Sequence, residues 1–244
     1  MSDAVARLAA TLIEPGAALL LDMDGTLVNS EPAHRAAFRR YFAERGWPLP
    51  AEVLAAFGGR RAADVFAALD GPWAGEDGVA LAAAVTARLD LVADPPVPVP
   101  GAADAIRGWH AAGMPIAVVT SAGRAWTQHV LDLLEVGDLG LTLVTAEDTP
   151  TGKPDPAPYA LAVRRLGADA AACLAAEDTP AGLTAARGAG VGHLLGMTTS
   201  APPEALLDAG AHATAPDLTA LAAAARGVGT DGWLLPEPDD VVRP

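Results

Sequence analysis

The chain is poor in lysine, cysteine and aromatic side chains, and it has no long apolar run. One cysteine, Cys173, stands among 244 residues, so no disulfide can form within the chain. That usage fits a reducing, cytoplasmic setting. Cys173 lies in an apolar run with no His or Cys near it in sequence, so it reads as a core residue. No stretch of about 18 apolar residues occurs, which leaves no candidate membrane span. The opening segment, MSDAVARLAATLIEPGAALLLD, lacks a basic start and carries Glu14 and Pro15, so it does not read as a signal peptide. A net charge of -14 argues against nucleic acid, whose binding rests on Lys and Arg neutralising phosphates. No internal repeat or heptad offers an interface, and a monomer is expected.

Lysine is scarcer still. Of the 16 basic residues, only Lys153 is not arginine. It sits in TGKPDPAP, between a glycine and two prolines. Compositional drift could leave one lysine behind. Alternatively, the position needs what a guanidinium cannot supply: a compact ammonium on a flexible stem, a common partner of phosphate. Taken alone, Lys153 does not decide between the two.

The apolar residues that are present make 51% of the chain, and alanine carries much of that share. AALLLD at 17–22 reads as a buried parallel strand ending in Asp. PAHRAAFRRYFAERG follows as a helix with Pro32 in its first turn and Gly46 at its end. Residues 50–93 read as further helices, and DPPVPVPG at 94–101 as a stiff, non-helical connector. Beyond it, strand and helix alternate. The strands are PIAVVT, LTLVTA, ACLAAE and VGHLLGM, with a weaker one near AHAT. Alternation at this spacing predicts βαβ units and a parallel sheet. The expected fold is therefore α/β: a Rossmann-like parallel sheet with helices on both faces and a small α-helical domain inserted after the first strand. The boundaries are 1–32 and 99–225 for the core, 33–98 for the insertion, which the resemblance given below implies to be a cap, and 226–244 for an acidic tail.

Ligands of open parallel sheets sit outside the carboxyl ends of the strands. Here those ends run into Asp22 and Asp24, into Thr120 and Ser121, toward Gly152 and Lys153, and into Glu177, Asp178 and Thr179. Thr179 before Pro180 reads as a helix N-cap. Caps do not account for Asp22 and Asp24 together. Two carboxylates about 4 Å apart repel by about 4 kcal/mol at an effective dielectric of about 20, before Glu177 and Asp178 are added. Gathering four such charges calls for a cation. Hard oxygen ligands select Mg²⁺ or Ca²⁺, and a site that keeps waters and meets a phosphate suits Mg²⁺. With the ion in place, one Asp can attack phosphorus to form an aspartyl-phosphate while the other moves the proton. Lys153, the Ser121 hydroxyl and backbone N–H groups at that turn, Ala122 among them, can hold the phosphoryl oxygens.

The motifs DMDGT (22–26), TS (120–121), GKPDP (152–156) and ED with a following Gly (177–182) resemble, in order and spacing, those of the haloacid dehalogenase superfamily. The resemblance covers roughly residues 17–200. It implies Asp22 as nucleophile and Mg²⁺ ligand, and Asp24 as general acid/base whose backbone carbonyl also binds the metal. It further implies Ser121 and Lys153 on the phosphate, Asp178 on the ion, and Glu177 on it directly or through water. VTAEDTPTGKPDPAPY and FGGRRAADVF are similar to the sugar-phosphate phosphatase and β-phosphoglucomutase-like branch. There Arg61 and Asp64 would face the substrate from the cap, with Arg60 competing for the role. His34 matches a functional position of mutase-like members, though a surface residue on the first cap helix is its competing reading. Asn29-Ser30 departs from the branch, which often has Asp-Ser or Asp-Thr there. The cap has no lysine for the Schiff base of phosphonate-cleaving relatives, and Asp24 is a residue that true dehalogenases lack. The resemblance thus implies an Mg²⁺-dependent phosphatase of small sugar or polyol phosphates. A hexose-phosphate mutase, a non-catalytic phosphometabolite binder, or a nucleotidase stacking a base on Trp47 or Trp73 are its alternatives.

Overall fold

A computed structural model describes residues 2–227. Six short parallel strands form its centre: β1 (Leu19–Leu21), β4 (Ile116–Val119), β5 (Thr142–Val144), β6 (Leu174–Glu177), β7 (His193–Met197) and β8 (Ala213–Ala215). Their order is β5-β4-β1-β6-β7-β8, so the chain leaves β1 to one side and later returns to its other side. The weaker strand expected near AHAT is β8.

The strands are continuous apolar runs because both faces are covered. Side chains alternate between the faces. Leu19 and Leu21, with Ile116, Val118, Leu174 and Ala176, pack against α1 (Ser2–Ala10), α6 (Ala102–Ala111) and α11 (Thr219–Arg226). Leu20, Ala117, Val119 and Ala175 face the opposite layer. That layer contains α8 (Ala157–Leu166), α9 (Pro180–Gly188) and α10 (Pro203–Asp208). Alanine on both sides of these contacts lets the layers approach closely. Trp109 is fully buried and ties α6 to α11, its indole N–H donating to the Leu221 carbonyl at 3.0 Å. Helix α1 has no counterpart in the sequence reading.

Between β1 and β4 the chain forms α2 (Glu31–Glu44), α3 (Ala51–Ala55), α4 (Ala62–Ala68) and α5 (Gly78–Thr86). This stretch has a separate apolar cluster containing all four phenylalanines of the chain, with Tyr41 and Trp73. With no sheet to pack on, these short helices rely on large rings for buried area. The two segments that lead into and out of it pair with each other. β2 (Val28–Asn29) runs antiparallel to β3 (Val97–Pro98). The connector 94–101, read as stiff and non-helical, is thus partly strand. Proline is tolerated there because the two-residue ribbon is all edge. The acidic tail lies outside the described residues from 228 onward. Among the described residues, no helix is long and apolar enough to cross a membrane.

Candidate active site

The sheet register brings the polar strand ends together. Leu21 is level with Val118 on one side and Ala176 on the other, so Asp22, Val119 and Glu177 stand side by side. Asp22 N–H donates to the Ala176 carbonyl at 3.0 Å, extending the ladder by one residue. After β5 the loop returns and inserts Lys153 between β4 and β1. All three ammonium donors are used there: Asp22 Oδ1 at 2.5 Å, Glu177 Oε1 at 2.5 Å and the Val119 carbonyl at 2.9 Å. Asp22, Lys153, Glu177 and Asp178 are each no more than 6% exposed. A buried ammonium held by two carboxylates and a carbonyl has a definite place in the fold, unlike a lysine left over on the surface.

One cation does not balance three buried acids. Asp22, Glu177 and Asp178 each place an oxygen within 4.8 Å of the others. Burial pushes Asp22 above the ordinary carboxylate range; Lys153 pulls it down and Glu177 pushes it up again. Burial also drives Asp178 well up, reinforced by Asp22 and Glu177. Asp22 Oδ2 and Asp178 Oδ1 are buried with no hydrogen-bond partner. Two orphaned carboxylate oxygens beside a third acid are a donor set short of positive charge, and this buried cluster could hold a metal ion. Glu177 has further partners besides the acidic cluster. Its Oε1 also accepts from the Tyr159 hydroxyl at 2.7 Å, so it clamps Lys153 as well as bordering the cluster. Burial and Glu177 raise the Tyr159 phenol, which stays a donor.

The DMDGT turn fits closely over Asp178. Gly25 has φ +89°, and a β-carbon there would lie 1.8 Å from Asp178 Oδ2. Only glycine serves at that position.

Asp24 stands apart from the acidic cluster by its side chain. Its Oδ1 accepts from Ser30 Oγ at 2.5 Å and Trp126 Nε1 at 2.9 Å, and His34 Nε2 lies 3.4 Å away. Burial works to raise Asp24, but His34, Ser30 and Trp126 outweigh it and hold the carboxyl low. Burial likewise works to lower His34, and Asp24 outweighs it and raises the imidazole. His34 is half-buried on the first helix of the insertion, with its ring nitrogen beside Asp24 and its ring against Trp126.

The helical insertion touches the same edge. Ser121 Oγ donates to the Gly59 carbonyl at 3.1 Å, and Ala122 N–H donates to Thr120 Oγ1 at 3.0 Å. Both expected phosphate donors have partners within the chain here. Arg61 donates to the Pro150 carbonyl at 3.2 Å and to Thr149 Oγ1 at 3.1 Å. Asp64 accepts from Gly152 N at 3.1 Å. These two bind the loop that carries Lys153, and in this conformation the insertion is latched to the core through them. Trp73 is 2% exposed, with its N–H on the Phe66 and Leu69 carbonyls. Trp47 packs on Phe42 and Trp73, with Arg45 at 4.1 Å from its ring. Both rings belong to the aromatic cluster of the insertion, Trp73 within it and Trp47 partly buried against it. Thr179 is the N-cap expected of it, accepting from Gly182 N at 3.2 Å. Ser30, Trp126 and Tyr159 were missed as site residues. The only local signal for Tyr159 is a hydroxyl on an apolar helix stripe.

A model of the haloacid dehalogenase-like hydrolases matches residues 17–190. The chain belongs to this family. It is 37% identical over 191 residues to validoxylamine A 7'-phosphate phosphatase of Streptomyces hygroscopicus subsp. limoneus, covering 78% of this chain and 89% of that one. It is 34% identical to hexitol phosphatase A of Escherichia coli (strain K12), covering 75% and 83%. Among solved structures it resembles CbbY from Rhodobacter sphaeroides in complex with phosphate. That match has a TM-score of 0.67 at 29% identity, and covers 84% of this chain and 95% of the other. The family membership read from the four motifs holds, as does the enzyme class, a phosphoric monoester hydrolase of the haloacid dehalogenase type.

Proposed function

We propose that the chain is an Mg²⁺-dependent phosphatase of small sugar or polyol phosphate monoesters, working through an aspartyl-phosphate on Asp22. The observation that carries this is the buried set Asp22, Asp178, Glu177 and Lys153 at the carboxyl edge of the sheet, with Asp24 held separately beside it. The phosphatases named above support the substrate class.

Asp22, Asp178 and the backbone carbonyl of Asp24 would hold the ion, with Glu177 at its border. Bound there, the ion supplies the positive charge that the cluster lacks and that phosphoryl oxygens need. The Asp22 carboxylate attacks phosphorus as the bond from phosphorus to the leaving oxygen breaks. The proton on the Asp24 carboxyl passes to that oxygen, releasing the alcohol. Asp24 then takes a proton from a water whose oxygen attacks phosphorus, and the bond to Asp22 breaks, releasing inorganic phosphate. Asp24 is held low by its donors, and the arriving phosphoryl dianion works the other way and favours its protonated form. Lys153 stays charged, because Asp22 and Glu177 outweigh the burial that would lower it. Lys153, Ser121 and the Ala122 N–H hold the phosphoryl oxygens. Ser121 and Ala122 exchange their present partners for them. The stretch 33–98 is the cap over this site on the core of 1–32 and 99–225, and Arg61, Asp64 and His34 are its contributions. A cytoplasmic setting and a monomeric state complete the reading.

The test is a panel of phosphate esters with Mg²⁺ or chelator, scored for both free phosphate and isomerised sugar. Glycerol phosphates, hexose and hexitol 6-phosphates, β-glucose 1-phosphate and nucleoside monophosphates are the members. Mg²⁺-dependent free phosphate from sugar or polyol esters, abolished by Asp22→Asn, is expected. Glucose 6-phosphate formed from the 1-phosphate without free phosphate would make it a mutase.

A further inference from the structure

We infer that Trp126 is the positioning residue that keeps Asp24 aimed for proton delivery to the leaving oxygen, an inference that rests on the phosphatase reading above. Two hydrogen bonds and the His34 imidazole, 3.4 Å away, meet on Asp24 Oδ1, and they come from different parts of the chain. Ser30 lies on the segment leading into the helical insertion, and His34 lies on α2 within it. Trp126 reaches Asp24 from beyond β4, 102 positions along the chain. It sits in the first turn of α7 (Arg124–Leu133), directly after the Ser121 turn. The start of α7 is itself pinned, with Arg124 N–H donating to Glu147 Oε1 at 3.1 Å. The indole is fixed on both sides. His129, one turn on, stacks at 5.4 Å and 27°, and His34 meets it edge-on at 5.5 Å and 83°.

The chemistry of the donor matters. An indole N–H donates and cannot accept. It therefore marks Oδ1 as an acceptor and leaves Oδ2 as the oxygen that carries the travelling proton. The Ser30 hydroxyl can turn to accept and cannot impose that distinction. The plain alternative is that Trp126 is packing, since it also lies against the main core cluster. An indole N–H at a half-buried position needs some acceptor, and Asp24 would then be incidental.

Leaving-group dependence separates the two. A p-nitrophenyl ester leaves as a stable phenolate and needs no proton from Asp24, whereas an alkyl ester does. Trp126→Phe keeps the ring and deletes the N–H. With p-nitrophenyl phosphate and the fastest alkyl ester of the panel as probes, the variant's kcat for the alkyl ester is expected to fall by about 10-fold or more. The aryl rate should stay within about threefold, and KM for the alkyl ester should change little. Partial unfolding lowers both rates alike and leaves their ratio unchanged. Trp126→His, which can present an N–H from the same helix position, should recover part of the ratio. Should the Phe variant not fold, the ratio in Trp126→His against Trp126→Leu is read in its place. Equal loss on both esters, or no loss on either, would overturn the positioning role while leaving the phosphatase standing. A wild-type protein that cleaves no alkyl ester would remove the reading beneath it.

Discussion

Lys153→Met is the most informative single perturbation of the site. The ammonium lies 2.5 Å from Asp22 Oδ1 and 2.5 Å from Glu177 Oε1. At an effective dielectric of about 20, each contact corresponds to about 6–7 kcal/mol of attraction. Most of that offsets the removal of the charges from water. Deleting one partner of such a buried group therefore costs about 3–5 kcal/mol rather than the gross figure. Against a total stability of about 5–15 kcal/mol, this is about a fifth or more of what holds the fold. The charges left behind, Asp22, Glu177 and Asp178, then repel without compensation. Asp22 is already held above its ordinary range by burial, and loses the one group pulling it down. A carboxyl raised in the folded state binds more protons folded than unfolded, so its penalty grows as pH rises. Wild-type Asp22 is already raised to about 8, so the variant's further rise should widen its deficit as pH climbs above that value. Urea unfolding followed by circular dichroism, in chelator so that no ion substitutes for the ammonium, measures this. Adding Glu177→Gln removes one of the stranded charges and should recover at least about 1 kcal/mol relative to additivity. A Lys153→Met protein within about 1 kcal/mol of wild type, or a double variant losing the full sum of its singles, would refute the account.

Other outcomes follow from the same contacts. In Gly182→Ala the new carbon would lie 1.9 Å from the Glu177 carboxyl carbon. Glu177 is held by Lys153 and Tyr159 and cannot step aside, so a loss of about 1–3 kcal/mol is expected in thermal unfolding. An unchanged midpoint would show that Glu177 is looser than drawn. Asp148 accepts from Arg124, Arg165 and both Thr145 donors; burial raises it, and these partners hold it far below the ordinary range. A depressed carboxyl contributes stability above its unfolded pKa of about 3.9 and loses it as pH falls below that. Asp148→Asn should therefore cost about 1–2 kcal/mol near neutral pH, discounted for its exposed arginine partners, and flatten the stability curve below about pH 4. Parallel curves for the two proteins would rule this out. Burial pushes the Cys173 thiol up to about 11. Native protein at pH 8 should resist a disulfide reagent that reacts at once after urea unfolding, and stoichiometric native labelling within minutes would contradict it.

Much of this molecule was legible in the chain, and the reasons are local. A parallel strand buried on both faces is a short apolar run, and its carboxyl end is where a polar residue can surface. That rule alone brought Asp22, Ser121, Lys153, Glu177 and Asp178 to one edge, and the motif order supplied the family. The helical character of 50–93 was readable too, because its prolines and glycines punctuate short helices and its apolar residues do not alternate. The β2–β3 ribbon was not readable. Two residues a side carry no periodicity, and its prolines argue against a strand.

What the tertiary structure alone decided is which side chains share a partner. Glu177 and Tyr159 meet Lys153 because the β1–β6 register and the packing of α8 bring their ends together. Trp126 reaches Asp24 across 102 positions of sequence. Arg61 and Asp64 grip the 149–152 loop because the insertion folds back over the sheet edge. No local pattern encodes such meetings. They depend on where whole helices settle once both faces of the sheet are buried, so the sequence names the groups at the site and the packing assigns each its work.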